Sequence, residues 1–192
     1  MRCIAVITLL LAPSLAFAHG GFGQGTPFFS GVMHVLLSIP VLLPLIASGL
    51  FASQRGRGMV SKAQLVLPML IALGAALALS GVDWGWLITA NLVAVIVLAV
   101  LVATAVSLTD RGVLTVIGLV GALAGYALLR SDMPDDAVVW FVTGAMLGAM
   151  IVQGGVAILA LLARAEWARI GVRVVGSWIA AIGVIYLGFS LA

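Results

Sequence analysis

Charged side chains are scarce in this sequence: they make up 8% of its 192 residues, whereas 64% of the residues are hydrophobic. A soluble domain carries about 25% charged residues, so the composition argues against a water-exposed surface and favours a lipid bilayer as the solvent. The few charges lie between long apolar stretches, and none lies deep inside one. No basic segment is dense enough to follow a phosphate backbone, which excludes nucleic acid as a partner.

Groups that perform chemistry are equally rare. The sequence holds one cysteine and two histidines, and the cysteine, Cys3, falls in the predicted leader described below. The mature chain therefore has neither a disulfide nor a thiolate ligand. No nucleophile–base pair, paired carboxylates or phosphate-binding loop occurs where a site could form. We therefore predict that the protein is not an enzyme.

Residues 1–18 are typical of a cleaved secretory signal peptide. Arg2 supplies the positive start, residues 3–11 the short apolar region, and Ala16-Phe17-Ala18 the small-x-small cleavage site. The alternative interpretation is a further membrane helix, but an apolar run of about fifteen residues is too short to span a bilayer easily. Cleavage leaves residues 19–192 as a single transmembrane domain.

Six later stretches approach the length of about twenty apolar residues that a membrane-spanning helix needs. Helices are expected because they satisfy their own backbone hydrogen bonds in lipid, and the short gaps between them favour antiparallel neighbours. The predicted fold class is all-α, a polytopic membrane protein with six transmembrane helices in an antiparallel bundle. The stretches are residues 28–52, 62–80, 84–108, 112–129, 138–163 and 174–192.

The gaps between these stretches alternate in charge. We call the gaps after the first, third and fifth stretches the odd gaps, and those after the second and fourth the even gaps. Basic residues stay cytoplasmic, which predicts an inner-membrane protein with its odd gaps inside and both mature termini on the outer, periplasmic side. A cleaved leader requires the same outer N-terminus. The odd gaps hold all the mature basic residues but Arg130: Arg55, Arg57, Lys62, Arg111, Arg164, Arg169 and Arg173.

Polar residues within the stretches are the candidates for function, since such residues are costly in lipid. Among them only His34 titrates near neutral pH, and we weigh a role as a metal ligand against a single hydrogen bond between helices. For Asn91 and Gln153 the favoured interpretation is hydrogen bonding between packed helices. The full set is His34, Ser38, Thr89, Asn91, Thr143, Gln153 and Ser177.

The first stretch carries Pro40 and Pro44 shortly after His34. A proline inside a helix removes one backbone hydrogen bond and bends the helix. We therefore expect a kink, with the carbonyl groups near Leu36 and Pro40 open to another partner.

The second histidine, His19, becomes the N-terminal residue if the leader is cleaved. Its α-amine and imidazole can then chelate one metal ion, and imidazole suits nickel, copper, zinc and iron. The linker of residues 20–33 contains glycines that allow it to fold back towards His34. His19 and His34 are thus the predicted metal ligands. Metal sites normally show three or four ligands, so an outer tail without a metal is the alternative.

The layout resembles the HupE/UreJ family of nickel and cobalt permease-like membrane proteins. This resemblance implies a six-helix carrier for which Ni²⁺ or Co²⁺ is the transported ion, with no resident cofactor. It rests on the leader junction, two blocks of the first stretch, an outer-loop run and a small-residue final helix after Arg173: Ala18-His19-Gly20, Phe29-Ser30-Gly31-Val32-Met33-His34, Ile46-Ala47-Ser48-Gly49-Leu50-Phe51-Ala52 and Ser131-Asp132-Met133-Pro134-Asp135-Asp136.

The sequence also departs from that family. The family's first-helix signature, His-Pro-x-x-Gly-x-Asp-His, is matched here at His34, but Pro40 stands at the aspartate position and Val41 at the second histidine. A histidine common in the family's fifth helix is replaced near Gln153. Among the expected ligands, the family's residues carry over at His19 and His34.

Three hypotheses follow. The first is a divergent nickel/cobalt ion permease with His19 and His34 at its outer entry. The second is a non-transporting membrane partner or assembly factor that has lost metal binding and acts through a membrane protein partner or as a homo-oligomer. The third is an outer-face copper binder that uses the N-terminal amine and both histidines.

Overall fold

The computed structural model describes residues 26–81, 84–129, 135–162 and 165–191. The predicted signal peptide and His19 lie outside these ranges. The described residues form seven α-helices and no strand, which confirms the all-α class. The helices are α1 (Pro27–Leu37), α2 (Ile39–Ser53), α3 (Arg57–Leu79), α4 (Trp86–Thr104), α5 (Asp110–Leu128), α6 (Asp135–Leu162) and α7 (Glu166–Leu191).

Helices α3 to α7 are each long and apolar enough to cross a membrane. The remaining two, α1 and α2, meet at a 73° bend and make a sixth span if the bent pair crosses the membrane as one. The expected kink is therefore a complete break. Ser38 lies between the two helices in an extended conformation, and Pro40 falls in the first turn of α2, where its missing N–H costs nothing.

The largest differences from the predicted helix boundaries lie at the starts of α3 and α7, and α4 also ends earlier, at Thr104 rather than Leu108. Helix α3 begins at Arg57 rather than near Lys62, and α7 begins at Glu166 rather than near Val174. Charged residues assigned to gaps thus lie on the first turns of these helices. The reason is that a helix can continue past the hydrocarbon core, because long basic side chains there reach the interface.

Helices α1 and α6 pack parallel to each other at two glycines. Gly144 of α6 backs onto Phe28, and Gly148, one turn later, faces Val32, one turn later on α1. Further along α6, Gly49 of α2 meets the Gln153 carbonyl. The broken pair α1–α2 therefore advances along α6 in one direction, as a crossing segment does and a re-entrant loop does not.

Helices α3 and α5 repeat this arrangement. Gly121 of α5 faces Leu67, and Gly125, one turn later, backs onto the Ile71 carbonyl, one turn later on α3. Small residues let helix backbones approach closely in lipid, and here the two backbones are in direct contact. These helices also run parallel, as the second and fourth of alternating crossings must.

Helices α4 and α7 instead run antiparallel. Gly176 of α7 faces Val102, whereas the later Gly183 faces the earlier Ile96. Helices α4 and α7 are the third and sixth crossings, which run in opposite directions if successive crossings alternate. Helix α2 lies among the three pairs and contacts all six other described helices.

The alternating crossings bring the odd gaps to one end of the bundle and the even gaps to the other. At the odd-gap end, Lys62 Nζ lies 3.0 Å from Asp110 Oδ2, which joins the start of α3 to the start of α5. At the even-gap end, the backbone N–H of Trp84 donates to the Tyr126 hydroxyl at 3.0 Å. The alternating charge of the gaps therefore becomes a difference in charge between the two ends of the molecule.

The glycine contacts predict a contrast within α6. A methyl group on Gly144 would collide with the backbone of Phe28, so Gly144→Ala should lower the free energy of unfolding by about 1–3 kcal/mol. Gly155 has no atom within 4 Å of an added Cβ, so Gly155→Ala should leave stability unchanged or raise it by up to about 1 kcal/mol. Unfolding titrations in detergent micelles measure both, and equal effects would contradict the assigned α1–α6 contact.

Candidate functional site

His34 lies on α1, one turn before the break, and its side chain is half-buried. Its imidazole meets the Phe141 ring of α6 edge to face, with the ring centroids 5.5 Å apart and the planes at 65°. Gly31 holds α1 against the α6 backbone at Phe141 and Ala145. Among the described residues the imidazole has no hydrogen-bond partner, so its nitrogens are available to a ligand.

Few metal-binding side chains surround His34. Within the ranges that the structure describes, no three His, Cys, Asp or Glu residues lie close enough to hold a metal ion. The pairing of His34 with His19 stays a prediction because His19 lies outside those ranges. Further donors to a metal at His34 would come from residues outside the described ranges, from backbone carbonyls, or from the water that the ion carries.

One carbonyl group near the break lacks a backbone hydrogen bond. Pro44 has no N–H, so the Pro40 carbonyl lacks its usual helical partner. Instead, Asn91 Nδ2 of α4 donates to the Pro40 oxygen at 3.4 Å. The expectation that a carbonyl near Pro40 takes another partner is confirmed, as is the expectation that Asn91 links two helices. Asn91 Oδ1 is buried and has no partner in the described part of the chain.

Gln153 differs from Asn91 in its hydrogen bonding. Its side chain is 1% exposed, on an inward stripe of α6 that also holds Phe141, Ala145, Ala149 and Ala157. Neither Nε2 nor Oε1 has a hydrogen-bond partner among the described residues. The interpretation of Gln153 as a hydrogen-bonded link between helices is therefore wrong within those ranges.

Two other glutamines make such links, and the sequence reasoning missed both. Gln64 Nε2 donates to the Met150 carbonyl at 3.2 Å, which joins α3 to α6. Gln54 Nε2 donates to the Val102 carbonyl at 2.9 Å, which joins the end of α2 to α4. Both glutamines lie near predicted helix ends, where polar residues are common. Their closeness to the charged gaps was therefore the only sequence signal that could have identified them.

His34 and Gln153 cannot share one ion. Phe141, which contacts His34, is separated from Gln153 by about 18 Å along the α6 axis at about 1.5 Å per residue. Metal–nitrogen bonds are about 2 Å long. Among the described residues, one imidazole thus lies near the even-gap end and a separate neutral amide lies deeper in the bundle.

Gln153 and Gln64 should respond in opposite ways to substitution by methionine. Gln153→Met removes, at similar volume, two polar atoms that have no partner among the described residues, so the free energy of unfolding should rise by about 1–3 kcal/mol. Gln64→Met loses a hydrogen bond to α6, so the free energy of unfolding of this variant should fall by about 1 kcal/mol. Denaturant titration in micelles gives both values. A loss of stability in Gln153→Met as large as in Gln64→Met would mean that the Gln153 amide is partnered.

Comparison with known proteins gives one result. The family model described as HupE / UreJ protein matches residues 7–186, nearly the whole chain. No curated protein and no solved structure matches it. The match covers the first six described helices and most of α7, and the apolar helices make the chain a multi-pass membrane protein. The chain belongs to the HupE / UreJ family.

Proposed function

We propose that the protein is a divergent nickel/cobalt ion permease, with His34 as a ligand at its entry. The observation that carries the proposal is the His34 imidazole, which has no hydrogen-bond partner among the described residues and lies one turn before the break between α1 and α2. Family membership supports the choice of ion, because HupE / UreJ proteins are associated with nickel and cobalt transport.

Charge supports an orientation. The odd-gap end carries Arg55, Arg57, Lys62 and Arg111, and basic residues of short loops stay in the cytoplasm. We infer that the even-gap end, with His34, faces the periplasm of a bacterial-type inner membrane. Both mature termini lie on that side, and residues 1–18 are removed as a signal peptide.

Broken helices supply ion sites in transporters because the unwound backbone exposes carbonyl groups. Here the imidazole of His34 offers one nitrogen, and the Leu36 carbonyl, whose usual helical donor position is occupied by Pro40, offers an oxygen. His19 and the new α-amine add two nitrogens on the same side once the leader is cleaved. A site with so few fixed donors binds weakly, so the ion keeps part of its water shell and exchanges readily.

The role of His34 is tested by uptake. His34→Phe keeps an aromatic ring against Phe141 but removes both nitrogens, so the variant should fold normally. Loss of a ligand weakens a site more than loss of a supporting group, which costs about 10–100-fold. Uptake of radioactive nickel or cobalt, in cells that lack their own permease, should therefore fall at least tenfold. Phe141→Leu, which spares the imidazole, is the control and should retain most of the uptake.

Unchanged uptake in His34→Phe would remove His34 from the site. Unchanged uptake after deletion of the whole gene would end the permease proposal.

The second candidate is a membrane partner or assembly factor that does not transport metal. The exposure of α7 favours it: 17% of its apolar window is buried, compared with 56% for α5, and α7 packs mainly on α4. A stable protein partner or homo-oligomer that covers α7, together with no metal binding in isothermal titration, would support this function over transport.

A further inference from the structure

A cleft opens at the odd-gap end, far from His34. It has a volume of about 390 Å³ and lies between the end of α2, the segment after α4, the end of α6 and the first turns of α7. Ligand pockets are typically about 300–1,000 Å³. The space is therefore large enough for a small ligand or for the polar part of a larger one.

Three arginine residues line this cleft: Arg55, Arg169 and Arg173. Arg173 Nε donates to the Ala103 carbonyl at 2.8 Å, which fixes that side chain against α4. Arg55 Nη2 is buried and has no hydrogen-bond partner among the described residues. A buried N–H of a charged group without an acceptor is costly. A bound ligand with an acceptor atom in the cleft would remove this cost.

No carboxylate within the described ranges forms a salt bridge with these arginines, and Glu166, three residues before Arg169 on α7, does not line the cleft. The salt bridge found within those ranges joins Lys62 to Asp110, so Asp110 is already paired. The segment after α4 contributes Val106 and Ser107 to the cleft, which carry no charge. Three like charges around one opening repel one another, and an anion between them removes that repulsion.

We propose that this cleft binds the phosphate headgroup of an anionic phospholipid. The planar fork of a guanidinium matches a phosphate through two parallel hydrogen bonds, and basic pockets between membrane helices on the cytoplasmic side suit such headgroups. The neighbouring surface is apolar: Leu162, Trp167 and Ile170 are 63%, 77% and 59% exposed. Acyl chains can lie on these side chains while the phosphate enters the cleft.

The lipid site stands on the geometry of the cleft and does not depend on metal transport. Native mass spectrometry of the full-length protein, released from detergent with phosphatidylglycerol or phosphatidylcholine, compares an anionic with a zwitterionic headgroup. Phosphatidylglycerol should bind at least tenfold more tightly. Equal binding of the two lipids would overturn the proposal.

Variants locate the site. Arg169→Gln and Arg55→Gln each remove one charged donor, and each should weaken phosphatidylglycerol binding about tenfold. Arg57→Gln and Arg111→Gln remove exposed charges at the same end but outside the cleft, and they should change binding less than twofold. Because Arg169 is exposed on α7, its variant should fold even if a change at Arg55 disturbs the end of α2. Equal effects of cleft and control variants would contradict the site.

Inorganic phosphate separates a lipid from a soluble anion. An excess of phosphate should displace little phosphatidylglycerol, since the acyl chains add contacts that phosphate lacks. Full displacement, with phosphate alone raising the melting temperature as much as the lipid does, would mean that the cleft binds a soluble anion and would overturn the lipid assignment.

Discussion

The fold depends on helix backbones that touch at glycines. Lipid is as apolar as a leucine side chain, so apolar faces alone give helices no reason to associate in a membrane. Gly144 and Gly125 place α6 and α5 against the backbones of α1 and α3, and Gly176 does the same for α7 on α4. These three pairs enclose α2, and they hold the first span in its broken form.

Polar groups of different chemistry lie at different depths along the bundle. Near the even-gap end lie an imidazole with available nitrogens and a proline carbonyl that already accepts from Asn91. Deeper in the bundle lies the neutral amide of Gln153. At the odd-gap end lie the arginines, which recognise anions rather than cations. Positively charged side chains repel a cation, so the arginine cleft is unsuited to be a metal site.

The sequence predicted much of this fold. Six crossings followed from apolar length, their alternation from the gap charges, and the kink from Pro40 and Pro44. Which helices pair did not follow, because small residues occur on most of the helices and do not reveal their neighbours. The starts of α3 and α7 were missed because a helix can extend beyond the bilayer core. His34 was found as a lone imidazole in an apolar helix. That Gln153 and Arg55 Nη2 lack partners within the described ranges depends on contacts between distant segments, which the sequence does not reveal. The pairing of His19 with His34 stays a prediction.

Isothermal titration of the purified, leader-cleaved protein with Ni²⁺ tests the central claim most directly, namely that this family scaffold keeps a weak metal site at His34 and none deep in the bundle. One weak, rapidly exchanging site per chain, lost when the imidazole of His34 is removed, is the result expected. Tight binding of nickel that survives the loss of that imidazole would contradict it, because the ligands would then have to lie elsewhere in the bundle.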